Sequence, residues 1–292
     1  MGFRENFASI TQPNQSLAPF THLRIGGPAE FLVTPRNRKD LAEVVAACMK
    51  DNIPMRVLGV GTNLLVRDEG VPGVVVRLTA EEFALIRVES KTIKAGGGAT
   101  LYSLVSASAR AGLAGFEILV GITATVGGAL RFNAGDKSGE IADYLTRVEV
   151  IDKLGKIVVR ERGDIHFGEH DSDLDDPIVL SVEFALEPDD PDAIVKRMRR
   201  AWINRKADQP LNHQAAVRVF RNPNGQSAAH LLERAGLART KSGSAEVSDR
   251  NANYIVAHPG TTAADVIGLI EKMRIGVRSA AGVNLEQELK VW

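Results

Sequence analysis

Two glycine clusters are the segments of this chain best suited by composition to hold a ligand. Gly59-Val60-Gly61-Thr62-Asn63-Leu64 begins like a dinucleotide fingerprint, but its sixth position is Leu64 and a strand pattern follows, which disfavours a Rossmann turn. No Gly-Lys-Ser/Thr sequence occurs, so these glycines would serve a phosphate only through backbone N–H groups in a turn. Taken alone, the segment reads as a tight turn between two strands. Gly121-Ile122-Thr123-Ala124-Thr125-Val126-Gly127-Gly128-Ala129 runs on to Asn133-Ala134-Gly135, with many backbone donors and almost no side-chain bulk. Two readings stay open for it: a surface for something flat or phosphorylated, or close packing of a helix on a sheet.

Three other clusters offer weaker chemistry. His166-Phe167-Gly168-Glu169-His170 matches a zinc-peptidase pattern that needs a helix to align both histidines, and Gly168 with its acidic surroundings argues against a helix. No metal is expected. Asp171-Ser172-Asp173-Leu174-Asp175-Asp176 starts like a calcium loop but lacks the sixth-position glycine, with Val182 at the twelfth position, so it reads as a solvated acidic loop. Lys196, Arg197, Arg199, Arg200 and Arg205 read as a charged helix face.

The elements that must position these segments follow from periodicity and punctuation. Phe31 to Val33 reads as a short strand, then Asn37 caps a helix from Arg38 with Asp40 at its third position. Met55 to Leu58, Leu64 to Val66 and Val74 to Leu78 read as strands, completing a β-α-β-β-β lobe. Ile86 to Val88 and Thr92 to Ala95 suggest a hairpin, and Thr100 to about Ala111 a helix. Arg147 to Ile151, Ile157 to Val159 and Ile178 to Leu186 are strand-like, and Pro188 to Asp192 reads as a linker. Helices are expected from Ala193 to Arg205, with Trp202 in the core, around Leu231, Leu232 and Ala235, and through Val266, Leu269, Ile270 and Met273 behind a Thr262/Asp265 cap. Cys48 shares an apolar helical face with Leu41, Val44 and Val45 and reads as core.

Composition narrows the function. Thirty-six basic residues balance thirty-six acidic ones, which removes the global argument for nucleic acid or an anionic membrane surface as a partner. The lone cysteine forms no internal disulfide, and the first twenty residues hold no continuous apolar stretch, so a cytoplasmic location without a membrane span is expected by default; a monomer is expected as well.

The order of the motifs adds what no single one supplies. Leu23-Arg24-Ile25-Gly26-Gly27-Pro28-Ala29, Gly59 to Leu65, Gly121 to Ala129 and Asn133-Ala134-Gly135 resemble the UDP-N-acetylenolpyruvoylglucosamine reductases, and the likeness continues through Arg205, Gln209-Pro210, Phe220-Arg221-Asn222-Pro223, Leu231 to Leu237, Ser244 to Ser248 and Leu285-Glu286-Gln287-Glu288. The resemblance implies an α+β FAD-binding fold of the vanillyl-alcohol-oxidase type in two lobes, about 20–80 and 81–190 within a domain 1–190, followed by an α+β substrate-binding domain, 191–292. It implies FAD held by Gly59, Gly61, Thr62, Asn63 and Leu64 and by Gly121, Ile122, Thr125, Gly127, Gly128 and Ala129, with NADPH as hydride donor and a nucleotide sugar, touched by Gln209 and Asn222, as substrate. Thr62 stands for the family's serine and Thr123-Ala124 for its Pro-Gly, where the Ala124 methyl would stand against close approach to a flavin.

The family's catalytic pattern is broken here. Val217-Arg218 replaces the Gly-Ser that supplies the proton donor, and Glu169-His170 replaces the Tyr-Arg whose arginine orients the substrate carboxylate, with Ser172 retained. Glu288 matches the catalytic glutamate. A guanidinium is a poor general acid but binds carboxylate or phosphate through two parallel bonds. Two alternatives follow: Arg218 anchors the carboxylate and His170 donates the proton, or the chain has stopped catalysing this reaction and keeps a ligand-binding scaffold.

Overall fold

The computed structural model describes residues 3–210, 215–223 and 225–292. Two compact units emerge, and neither is a continuous stretch of chain: the first comprises 1–13, 31–59 and 72–205, the second 14–30, 60–71 and 206–292.

The first unit has two cores. Helix Arg38–Lys50 opens as expected, Asn37 Oδ1 accepting the Asp40 N–H at 2.9 Å, and buries Leu41, Val44, Val45 and Cys48. Burial pushes the Cys48 thiol up to about 12. Strands Met55–Val57 and Val71–Val76 pair in parallel, Arg56 opposite Val75, and this helix crosses to join them with Val74 and Val76 in one cluster. Leu64–Leu65 does not belong to this sheet. It pairs in parallel with Lys290–Val291, which corrects the β-α-β-β-β lobe: three apolar runs in sequence looked like one sheet, but the middle one has its partner far along the chain.

The second core lies on a five-stranded antiparallel sheet ordered Ile157–Glu161, Leu145–Ile151, Ile178–Ala185, Thr92–Gly96, Ile86–Glu89. Val148, Val150, Val182 and Phe184 point from the sheet into a cluster with Leu101 and Leu104 of helix Leu101–Arg110 and with Val126 and Leu130 of helix Val126–Arg131. Helix Pro191–Asp208 extends past both expected ends, with Ile194 buried and Met198 packed on this cluster. Trp202 is not core; it is half exposed (49%), near Gly121, because Ile194 and Met198 define the inward stripe. The acidic loop is also not uniformly solvated: Leu174 and Asp176 are buried, and Asp176 receives Arg160 at 3.0 and 3.1 Å.

The second unit is built on a sheet ordered Ala216–Arg218, Tyr254–Ala257, Ala245–Val247, Lys241–Ser242. Val217, Ile255 and Val247 share a core with Leu231 and Leu232 of helix Ala228–Arg234 and Leu269, Ile270 and Met273 of helix Ala263–Ala281. The Thr262/Asp265 capping box forms, and Asp68 adds its carboxylate to the Ala263 and Ala264 N–H groups at 2.9 and 3.1 Å. Among the described residues no helix is long and apolar enough to cross a membrane.

Candidate active site

In the first unit the Gly121 to Ala129 segment becomes a turn entering a short helix. Thr125 caps it, accepting from Gly128 N–H at 3.3 Å, while Val126 and Gly127 donate to Ala99 O (2.8 Å) and Gly97 O (2.9 Å). Two adjacent glycines of the cluster meet different surroundings. A Cβ on Gly127 would stand 3.1 Å from Gly97 O and 3.2 Å from Val179 Cβ, so this glycine serves helix-on-sheet packing. A Cβ on Gly128 would meet only Thr125 Oγ1, at 3.2 Å, so this glycine presents bare backbone on an open side. Gly59 approaches the same cap, since its Cβ would lie 2.9 Å from Thr125 Oγ1. Ile122 and Ala124 are half-buried against the core and Ala129 is buried within it, so the Ala124 methyl joins the apolar packing. Arg205 clamps the approach to this turn, donating to Val120 O at 2.8 Å, Ile118 O at 3.1 Å and Asp136 at 2.8 Å.

His170 also belongs to this unit. Phe167–Gly168 and Asp171–Ser172 form a hairpin whose turn is Glu169-His170, with His170 at φ +54°, so the zinc pattern has no helix to align it. His166 pairs instead with Asp173, Nδ1 to Oδ2 at 3.2 Å. The hairpin is pinned by Ser172 Oγ to Arg131 O (2.8 Å) and by the fully buried Asn133, whose amide donates to Gly168 O at 3.0 Å and to Glu140. Arg131, lowered from the ordinary arginine value by its burial, holds Leu174 O and Asp176 O at 3.0 and 2.6 Å. Sequence reasoning placed Asn133 in a motif but missed this bracing role, which its φ of +44° beside Ala134-Gly135 would have suggested only after folding.

In the second unit Gly61 takes φ +66°, and a Cβ there would lie 2.4 Å from Phe20 O; its own carbonyl accepts from His22 N–H at 2.9 Å. Thr62 and Asn63 are half-buried and Leu64 buried. Asn63 reaches the chain near residue 288: its amide donates to Glu288 O at 3.3 Å and its carbonyl accepts from Lys290 N–H at 3.2 Å. That segment runs antiparallel to the stretch after strand Ala216–Arg218, with Phe220 bridged to Gln287 and Glu288 N–H donating to Val219 O at 2.8 Å. Arg218 and Glu288, widely separated in sequence, are thereby brought together: Arg218 Nε stands 3.4 Å from Glu288 Oε2. The contact is one of charge without a hydrogen bond, because Oε2 is buried with no hydrogen-bond partner.

Asn253, unnoticed in the sequence, fixes this arrangement. It is buried, its Oδ1 accepts from Phe220 N–H at 2.9 Å, its Nδ2 donates to Phe220 O at 2.8 Å, and its carbonyl accepts from Val219 N–H at 3.0 Å. Asn222 turns its Oδ1 to the Ala228 N–H at 3.0 Å, at the start of helix Ala228–Arg234, and Gln209 is half-buried.

The first class to be defined is that of FAD-binding proteins: residues 29–160 match the FAD binding domain model. The fold is accordingly the α+β FAD-binding fold of the vanillyl-alcohol-oxidase type. Residues 209–292 match the C-terminal domain of UDP-N-acetylenolpyruvoylglucosamine reductase. The chain is 38% identical over 278 residues, 95% of its length and 90% of the relative's, to the UDP-N-acetylenolpyruvoylglucosamine reductase of Methylorubrum populi. It is 39% identical over 280 residues to the UDP-N-acetylenolpyruvoylglucosamine reductase 2 of Symbiobacterium thermophilum, covering 95% of this chain and 91% of that one. The crystal structure of the reductase from Thermus caldophilus superposes with a TM-score of 0.83 at 37% identity, over 97% of this chain and 98% of that one. The chain belongs to the UDP-N-acetylenolpyruvoylglucosamine reductase family.

The residues present fit FAD. In the first unit the donor set is glycine backbone beside the Thr125 hydroxyl, and Gly128 offers a face free of side chain on which a planar ring or a phosphate can lie.

Proposed function

We propose that this chain is a FAD-dependent reductase that uses NADPH to convert UDP-N-acetylenolpyruvoylglucosamine to UDP-N-acetylmuramate, a step in making peptidoglycan precursors. The observation that carries this reading is the likeness to reductases of that name along 95% of the chain. By function rather than compactness, residues 1–190 carry FAD and 191–292 the sugar nucleotide. FAD would be held by Gly59, Gly61, Thr62, Asn63 and Leu64 and by Gly121, Ile122, Thr125, Gly127, Gly128 and Ala129. Bound there, it would supply the hydride for the enolpyruvyl double bond after taking one from NADPH.

The chain's own residues do the rest. Arg218, a third exposed, offers its guanidinium to the substrate carboxylate, and Gln209 and Asn222 contact the nucleotide sugar. Glu288 and His170 are the two candidates for holding the proton that the double bond must gain. The contact between Arg218 and Glu288 also favours a second reading, in which a family member binds FAD or a nucleotide sugar without turnover, since the proton donor's position now holds the glutamate's counter-ion.

The visible spectrum of the purified protein tests FAD binding, and an anaerobic titration tests the rest. NADPH should bleach the flavin and UDP-N-acetylenolpyruvoylglucosamine should restore its colour. A yellow protein that performs neither step faster than free flavin leaves the reading without turnover; a colourless one that takes up no added FAD removes both.

A further inference from the structure

Arg205 serves three acceptors at once, and two of them are carbonyls of the chain entering the Gly121 to Ala129 turn. One guanidinium nitrogen donates to Val120 O at 2.8 Å; the other donates to Ile118 O at 3.1 Å and to Asp136 Oδ2 at 2.8 Å. The Arg205 side chain is only 15% exposed, and all of these partners lie in the first unit. Gly121 makes room for the clamp: its backbone sits at φ +80°, and a Cβ there would stand 3.3 Å from Arg205 Cδ. The clamp decides which way the Val120–Gly121 peptide faces. The described residues contain no cis peptide bond, and in a trans peptide the C=O and N–H point in opposite directions. Holding the Val120 carbonyl against the guanidinium therefore turns the Gly121 N–H away from it. Gly121 is exposed, and among the described residues its N–H has no protein acceptor. A cation on the carbonyl side also polarises the peptide, which strengthens the donor on the opposite side.

We propose, resting on the FAD reading above, that Arg205 is a positioning residue for the cofactor: acting through the Val120–Gly121 peptide, it aims the Gly121 N–H outward as a donor to FAD. Arg205 itself touches no part of the cofactor in this account. Its two carbonyl bonds fix the peptide before FAD arrives, so that binding spends nothing on ordering it. Without the guanidinium both carbonyls lose their donor, and the peptide is free to turn toward water. FAD would then have to order it on binding. Fixing the backbone of one residue corresponds to about 5- to 30-fold in an equilibrium constant, which sets the size of the expected loss.

The test is titration of the full-length protein, stripped of FAD, with FAD itself, followed by the quenching of flavin fluorescence. Arg205→Met keeps an unbranched stem against Gly121 and removes the donors; it should bind FAD about 5- to 30-fold more weakly than the parent. Arg205→Lys brings one ammonium to the same acceptors and should fall between the two. Arg205→Ala provides a second variant: methylguanidinium chloride should restore part of its affinity, and sodium chloride at the same concentration should not. Loss of the fold would show no such rescue. Hydrogen exchange reads the turn directly, since in Arg205→Met the amides of residues 119–122 should exchange faster while helix Leu101–Arg110 keeps its protection. Unchanged FAD affinity in Arg205→Met overturns this inference and leaves the FAD reading standing. Weakened binding that methylguanidinium does not restore, with the Leu101–Arg110 amides exchanging as fast as the turn, also overturns it, because Arg205 would then hold the whole unit together. A parent protein that takes up no FAD overturns both.

Discussion

Replacing Asn253 by alanine should cost the second unit about 2–5 kcal/mol, because it strands two buried backbone groups at once. The Phe220 N–H loses an acceptor at 2.9 Å and its carbonyl loses a donor at 2.8 Å, inside a core where Phe220 is fully buried. Each bond contributes about 1 kcal/mol net, and each group left unsatisfied costs about 1–3 kcal/mol. Two stranded groups thus cost about 2–6 kcal/mol, and a water entering the space the side chain leaves brings the loss toward the lower part of that range. The protein has two tryptophans, Trp202 in the first unit and Trp292 in the second. Trp202→Phe therefore makes Trp292 fluorescence a reporter of the second unit, and urea unfolding in that background gives the shift directly. With a slope of roughly 2 kcal/mol per molar urea, the midpoint should fall by roughly 1–2.5 M. Asn253→Asp should lose less at neutral pH in acceptor terms but oppose its carboxylate to the Phe220 carbonyl, so it too should be destabilised. A midpoint for Asn253→Ala within about 0.2 M of the parent would refute the argument, and with it the role given to Asn253 in holding Val219 and Glu288.

Other expected outcomes follow from single contacts. Gly128→Asp should abolish FAD uptake by setting a charge on the bare face beside Thr125, while Gly163→Asp, where an added Cβ meets nothing within 4 Å, should leave it intact; equal uptake by both would move the cofactor elsewhere. Gly61→Ala should lower the thermal midpoint, the left-handed backbone alone costing about 1–2 kcal/mol and the 2.4 Å approach to Phe20 O adding to it; an unchanged midpoint would contradict the close contact. Cys48 should resist iodoacetamide at pH 8 in the folded protein and react on unfolding, since it is fully buried and its thiol is pushed up to about 12; fast labelling of the native protein would refute that placement. Arg218→Ser should weaken binding of the enolpyruvyl nucleotide by about 1.5–3 kcal/mol, as read by calorimetric titration of the two proteins, and unchanged affinity would remove Arg218 from the site.

The legible parts of the fold were those fixed by local chemistry. Asn37 and Thr262 announced their helices because a cap is written within four residues, and the face of Leu41, Val44, Val45 and Cys48 because a helix repeats within eight. The pairing of Leu64–Leu65 with Lys290–Val291 was not legible, since parallel partners far apart carry no local signal and any apolar run looks equally suited to the nearest sheet. The same distance hid the contact between Arg218 and Glu288: motif order identified both residues but not that one faces the other. Trp202 was misjudged because hydrophobicity was read without its helical phase, and Asp176 because a run of acids was read as one environment although Arg160 and Arg131 engage its side chain and its carbonyl. Asn253 gave no sign at all. A buried asparagine is recognised by the backbone it braces, and that backbone exists only after folding.

The interleaving of the two units also dictates an order of birth. Residues 72–205 of the first unit emerge as one uninterrupted stretch, so most of its second core can collapse while the ribosome is still at work. The second unit has no such option. Residues 14–30 and 60–71 leave the exit tunnel early, yet Leu64 and Leu65 must wait for Lys290 and Val291 to supply their sheet, and Asn63 must wait for Glu288. Through that interval the short apolar run at Leu64–Val66 is an unmatched strand, open to chaperones or to misplaced partners, and Arg218 has no Glu288 to face. Synthesis that halts short of residue 285 would therefore yield a chain able to form the antiparallel sheet of its first unit but unable to assemble the charged pair of its second.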